Sequence, residues 1–206
     1  MVEAFLHGFV LSLGLILPLG VQNVFVFNQG AVQSSLWRAM PVVLTAAVCD
    51  TLLILLAVLG VSLVVLTFDW LETALYAVGF FFLLYMGYLT WKSTPSTEGD
   101  EAQRFTPRKQ ILFAASVSLF NPHAILDTIG VIGTSSLSYG GTEKWAFTLS
   151  CILVSWLWFF ALSVAGRTAG RLDRSGKLLR SLNVVSACII WAVALFMGAK
   201  LAGIVV

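Results

Sequence analysis

Charge is what this sequence has least of. Of 206 residues, 12 are Lys or Arg and 10 are Asp or Glu, 11% together, where a soluble domain carries about a quarter. Between Glu3 and Arg38 there is no Asp, Glu, Lys or Arg at all. An ordinary soluble domain is thereby excluded. Other absences narrow the chemistry. No GxxxxGK[ST] phosphate loop occurs, so the sequence contains no ATPase motor; HExxH, CxxC and GxSxG are missing too. With His7 and His123 as the only histidines, a zinc site would need carboxylates to complete it. The chain is therefore read as a non-enzyme with no cofactor and no metal. Cys49, Cys151 and Cys188 cannot all pair and stand at no ligand spacing, so they read as small packing residues. The first apolar stretch has neither the basic start nor the small-residue cleavage site of a signal peptide, and is expected to be retained.

Apolar residues supply 59% of the chain, and its mean hydropathy is +0.94. Six membrane spans are expected, over 4–27, 41–66, 71–91, 110–134, 145–166 and 182–204, each near the roughly 20 residues that cross a bilayer. The charged residues inside them are Asp50, Glu72, Asp127 and Lys200. Glu72 and Lys200 are near enough to span ends to reach the interface; Asp50 and Asp127 are not. Ten of the 12 basic residues fall on the loops 28–40, 92–109 and 167–181, leaving Lys144 and Lys200 for the other side. Under the positive-inside rule these loops face the cytoplasm and both termini face out. The basic residues thus read as an orientation signal in a lipid bilayer, not as a nucleic-acid surface. Trp37, Trp70, Trp91 and Trp145 fall at span ends, as interface anchors do.

The loop 92–109 is mixed in charge, with two prolines and a glycine, and reads as a cytoplasmic linker between residues 1–91 and 110–206. Three spans on each side is an odd number, so the halves enter the membrane in opposite directions. Weak internal matches agree. LPLGVQN at 17–23 and NPHAILD at 121–127 each carry a proline with a polar residue five positions later, Pro18 with Asn23 and Pro122 with Asp127. Met86–Gly87 is echoed by Met197–Gly198, and Gly60 ends a span much as Gly166 does. The expected fold is an all-α integral membrane protein of six transmembrane helices, arranged as two inverted three-helix repeats with helices 1 and 4 broken at proline. Oligomeric state is left open.

Proline in a membrane helix frees backbone groups that lipid cannot satisfy, and paired breaks in two repeats mark a transporter's substrate site. Pro18 and Gly20 permit an unwound segment; Gln22 and Asn23 beside it either grip a substrate's polar groups or glue helices together. Asp50 lies about ten residues into its span, roughly 15 Å deep. A carboxylate there costs about 2.5–3.5 kcal/mol. It reads as a cation partner, a proton carrier or a protonated hydrogen-bond donor. Asp127 carries the same argument, with Asn121 and His123 nearby and His123 four residues before it on one helical face. Asp50, His123 and Asp127 are the proton-coupling candidates. Ser155, Trp156 and Trp158 either line a cavity or pack. Asn28, Gln29 and Gly30 read as the end of the first span, and Gly14, Gly20, Gly130 and Gly133 as places for close helix approach.

LPLGVQNVFVFNQG (17–30), the Cys49–Asp50 pair, FNPHAILDT (120–128) and SWLWFF (155–160) resemble the LysE/ArgO family of basic amino acid exporters, nearest the arginine-exporter branch. The likeness spans nearly the whole chain. Val21 stands where that family usually has a second proline. The resemblance implies a secondary transporter of the cytoplasmic (inner) membrane that exports L-arginine or L-lysine, driven by proton exchange or by the membrane potential. Its substrate-binding set here would be Pro18, Gly20, Gln22, Asn23, Asp50, Asn121, Pro122 and Asp127. Export of a neutral amino acid or of a divalent cation is the alternative within the same superfamily; two carboxylates with His123 and Asn121 would suit a hard cation.

Overall fold

The computed structural model describes residues 1–17, 20–60, 69–92, 105–119, 124–125, 128–172 and 177–202. Every regular element among them is helical: α1 (Val2–Ile16), α2 (Val21–Val32), α3 (Leu36–Val58), α4 (Asp69–Lys92), α5 (Pro107–Leu119), α6 (Gly141–Leu172) and α7 (Lys177–Leu201). Between α5 and α6, a π-helical segment, Thr128–Gly133, runs into a single helical turn, Thr134–Ser136. Among the described residues, α3 and α6 are long and apolar enough to cross a membrane, and α1 with α2 makes a third crossing if that bent pair is one span.

The expected first span is two helices whose axes turn by 79°. Leu17 still closes a helical bond, its N–H donating to the Leu13 carbonyl at 3.1 Å. Gly20 is extended and caps α2, whose first bond runs from the Val24 N–H to the Gly20 carbonyl at 3.1 Å. Of the expected span 110–134, the described residues include α5 and the π-helical segment, and 120–123 and 126–127 lie outside them.

Helix α6 is the axis of the molecule. Both α1 and α2 pack along it, and α3 packs on it as well. Symmetrically, α5 and the π-helical segment both pack along α3, while α4 and α7 pack chiefly on each other. Three apolar clusters knit these layers. Phe25, Val42, Ala46, Ala114 and Phe159 join α2, α3, α5 and α6. Val21, Leu83, Val117 and Ile190 join the starts and ends of α2 and α5 to the α4–α7 pair. Ala4, Ile54, Ile132 and Phe147 join α1, α3 and the π-helical segment to α6. The outward faces are no less apolar. Leu44, Val48, Leu52 and Leu56 form a four-residue ladder along α3, each about half exposed, as expected of a helix whose solvent is lipid.

Backbone-close approach is made at Gly30 and Gly166, two glycines expected at span ends. Gly30 abuts the Ser163 backbone and Gly166 the Phe27 carbonyl, so α2 and α6 cross backbone to backbone. Gly14, Gly20 and Gly130 have no such neighbour among the described residues; a glycine's neighbour is set by where helices cross, which composition does not encode. The reading of Gly30 as a mere span end changes accordingly: it is a buried crossing point. Gly60 does end α3, at a positive φ of 86°, whereas Gly166 is interior to α6. On the α4–α7 seam, a side chain at Gly87 would strike the Trp191 indole and one at Gly198 the Phe80 ring. Both partners of this reciprocal contact are related by the same 111-residue offset, Gly87 to Gly198 and Phe80 to Trp191.

Polar side chains mend the backbone where helices are interrupted or end. Pro41 lies inside α3 and lacks an N–H. There the buried Gln110 amide accepts from the Val42 N–H at 3.3 Å and donates to the Arg38 carbonyl at 2.9 Å. Arg167 of α6 donates to the carbonyls of Gln33 and Ser34 at 3.0 and 2.8 Å, a cation at the C-terminal end of α2 where the helix dipole favours one.

Candidate functional site

The bend between α1 and α2 lies against α6, and α3 closes the third side. Asp50 of α3 is half-buried there. Gln22, in the first turn of α2, donates from Nε2 to Asp50 Oδ1 at 3.1 Å. Ser155 of α6 donates from Oγ to the other oxygen, Oδ2, at 2.9 Å. One carboxylate thus ties α3 to both α2 and α6. A second bond repeats the α3–α6 link one residue further on, from Trp156 Nε1 to Thr51 Oγ1 at 3.1 Å. Gln22, Asn23 and Ser155 are all buried.

Asn23 serves the bend itself. Its Nδ2 donates to the carbonyl of Ile16, the last residue of α1, at 2.7 Å. Its Oδ1 accepts from Trp158 Nε1 at 3.3 Å. Helix ends leave carbonyls that need donors, and in lipid only protein can supply them. Asn23 thus bonds to the end of α1, while Gln22 bonds to the carboxylate.

Among the described residues, no cation is paired with Asp50. The donors on Asp50 are neutral, and among the described residues the one ion pair joins the N-terminal amine to Glu143 at 2.7 Å, away from Asp50 in chain and helix. A carboxylate held only by neutral donors in an apolar surrounding calls for a proton or a cation. Among the described residues no three of His, Cys, Asp and Glu gather at metal-binding range.

Of the residues singled out in the sequence, the structure brings Gln22, Asn23 and Asp50 together, with Gly20 at the bend. Pro18, Asn121, Pro122, His123 and Asp127 lie outside the described residues.

A family model described as LysE type translocator matches residues 13–200 of this sequence. The chain belongs to that family. It is 58% identical over 199 residues to the "Putative amino-acid transporter YisU" of Bacillus subtilis (strain 168), covering 97% of this chain and 90% of the relative. It is 34% identical over 199 residues to the arginine exporter protein ArgO of Escherichia coli (strain K12), covering 95% of this chain and 93% of the relative. The arginine exporter protein ArgO of Salmonella typhimurium is 32% identical over 198 residues, with 94% and 92% covered. No solved structure matches. As a LysE type translocator the chain is a membrane protein of a transporter family, and the polar cluster at the α1–α2 bend is its candidate substrate site.

The sequence left Ser155 and Trp158 between cavity lining and packing. In this translocator both are engaged: they are three residues apart on one face of α6, so one turn of that helix reaches Asp50 and Asn23 together. A helical spacing of polar atoms opposite Asp50 was the signal, hidden because a Trp-rich apolar run looks the same when it only packs. Buried Gln110 and Gln33 are polar seals of the same kind, Gln33 donating to the Phe105 carbonyl at 3.0 Å.

Proposed function

We propose that this chain is a secondary transporter that exports cationic amino acids, L-arginine or L-lysine, across the cytoplasmic membrane. The observation that carries the reading is Asp50: a half-buried carboxylate beside a bent helix pair, held by Gln22 and Ser155 alone among the described residues. A guanidinium or ammonium group supplies the missing positive charge. The N-terminal end of α2, with extended Gly20 before it, suits the α-carboxylate common to all amino acids. The relatives described as arginine exporters support the substrate class.

The scaffold in this reading is six spans in two inverted repeats, 1–91 and 110–206, joined by a cytoplasmic linker at 92–109, with both termini outside. Two features support it. The bent α1–α2 pair lies on the middle helix of the second half, and the pieces α5 and Thr128–Gly133 lie on the middle helix of the first. The Gly87–Trp191 and Gly198–Phe80 contacts exchange under one offset, as contacts across a two-fold axis do. Pro18 and Pro122 would break helices 1 and 4. Pro122, Asn121 and Asp127 would complete the site from the second half, with Asp50, His123 and Asp127 as carriers of coupled protons. Rocking of the halves then loads substrate from the cytoplasm and releases it outside, driven by proton exchange or by the potential.

The wider name of the Bacillus relative, an amino-acid transporter, keeps a neutral amino acid as the second reading. Purified protein in liposomes, preloaded with labelled L-arginine, tests both. Efflux inhibited by L-lysine and unaffected by L-leucine or divalent cations, and lost in Asp127→Asn, is the expected result. Competition by leucine, or by a divalent cation in place of lysine, would overturn the choice of substrate.

A further inference from the structure

A donor that meets no substrate can still decide how a site is shaped. Trp158 is such a donor. An indole N–H can only donate and a carbonyl can only accept, and the Asn23 amide lies between one of each, Trp158 Nε1 at 3.3 Å and the Ile16 carbonyl at 2.7 Å. Only one orientation of the amide satisfies both. Turned by half a rotation, it would set its NH2 against the indole N–H and its oxygen against the Ile16 oxygen. The Trp158 N–H therefore fixes the amide, and the amide fixes the end of α1 to the first turn of α2.

That turn also carries Gln22, whose amide holds Asp50. Ser155, the other donor to Asp50, is three residues before Trp158 on the same face of α6. Any slip of α2 against α6 at Trp158 thus moves one of the carboxylate's two donors relative to the other. We propose that Trp158 is a positioning residue of the substrate site: its indole N–H, acting through Asn23, sets the bend between α1 and α2 and so the geometry in which Asp50 is presented. The inference rests on the transport reading for its consequence, though the relay itself does not.

Trp158→Phe keeps an aromatic ring and removes only the N–H and the second ring's bulk; Asn23→Ala removes the amide. Two measurements on the purified full-length protein test the relay. In indole 1H–15N spectra, the Trp158 signal, identified by its absence in Trp158→Phe, is expected to move in Asn23→Ala. In liposomes, each single variant is expected to raise the KM for L-arginine by about tenfold, the worth of one buried hydrogen bond, and the double variant by no more than either alone. A role in packing alone would instead lower the maximal rate with KM unchanged. Losses that multiply in the double variant, a loss confined to the maximal rate, or an unmoved indole signal would each overturn the proposal. If the unaltered protein carries no basic amino acid, the transport reading falls by itself, and the indole signal alone then decides the relay.

Discussion

Two helix seams in this molecule are built on opposite terms. Where α6 meets α1, α2 and α3, the contact is polar and backbone-close: glycines abut backbone, and Asp50, Gln22, Asn23, Ser155 and Trp158 bond across it. Where α4 meets α7, the described contact is aromatic, with Trp91 stacked on Trp191 at 5.6 Å between ring centroids and glycines facing the rings of Phe80 and Trp191. The difference teaches where chemistry can live. Lipid gives helices no hydrophobic reason to associate, so small residues and hydrogen bonds must hold them. A polar seam holds and also presents groups to a solute; an aromatic seam only holds.

Substitutions can break that contrast in graded steps. The largest effect is expected at Gly166→Val on the polar seam. Its new side chain would meet the Phe27 carbonyl and the Ala31 nitrogen, backbone atoms that cannot step aside. A loss of about 3 kcal/mol should lower the thermal midpoint by roughly 10 °C, with transport lost in parallel; an unchanged midpoint would mean the two backbones are not in contact. Ser155→Ala comes next. It deletes one of the two described donors on Asp50 without adding bulk, so the midpoint should hold while the KM for arginine rises about tenfold or more, the worth of a hydrogen bond to a charged group. A fall in midpoint with KM intact would make Ser155 a packing residue after all. The smallest effect is expected at Gly198→Ala on the aromatic seam. There the added methyl meets the Phe80 ring edge, 2.8 Å from Cε2, and a ring can tilt away. Less than about 1 kcal/mol and a normal KM are expected, read from the same two assays.

What could be seen in the sequence follows the same contrast. Asp50 and Gln22 stand out because a polar group in an apolar run costs free energy wherever the helix sits, and the structure joins them directly. A turn near residues 17–20 was also visible, since Gly20 follows a proline in a stretch with few other interruptions, and the helices on either side diverge by 79°. Trp158 and Ser155 were not separable from packing residues, because their use depends on which helix faces them. The crossing glycines were misassigned for the same reason. Gly30 and Gly166 matter through the rotation of α2 against α6, and nothing local to either residue encodes that angle. The echo of Met86–Gly87 in Met197–Gly198 was a weak match in an apolar sequence. It gains weight because both glycines face aromatic rings at matching positions.

Asp50 is, in the proposed transport cycle, the partner of the substrate's charge. The measurement that tests it most directly is exchange of labelled L-arginine by purified protein in liposomes, comparing the natural chain with Asp50→Asn, whose amide oxygen can still accept from Gln22 while its NH2 donates to the Ser155 hydroxyl. The natural chain should give saturable exchange and Asp50→Asn should fall to the level of protein-free liposomes, a drop of at least about a hundredfold for loss of a buried charge partner. Arginine exchange at the natural rate in Asp50→Asn would contradict the account.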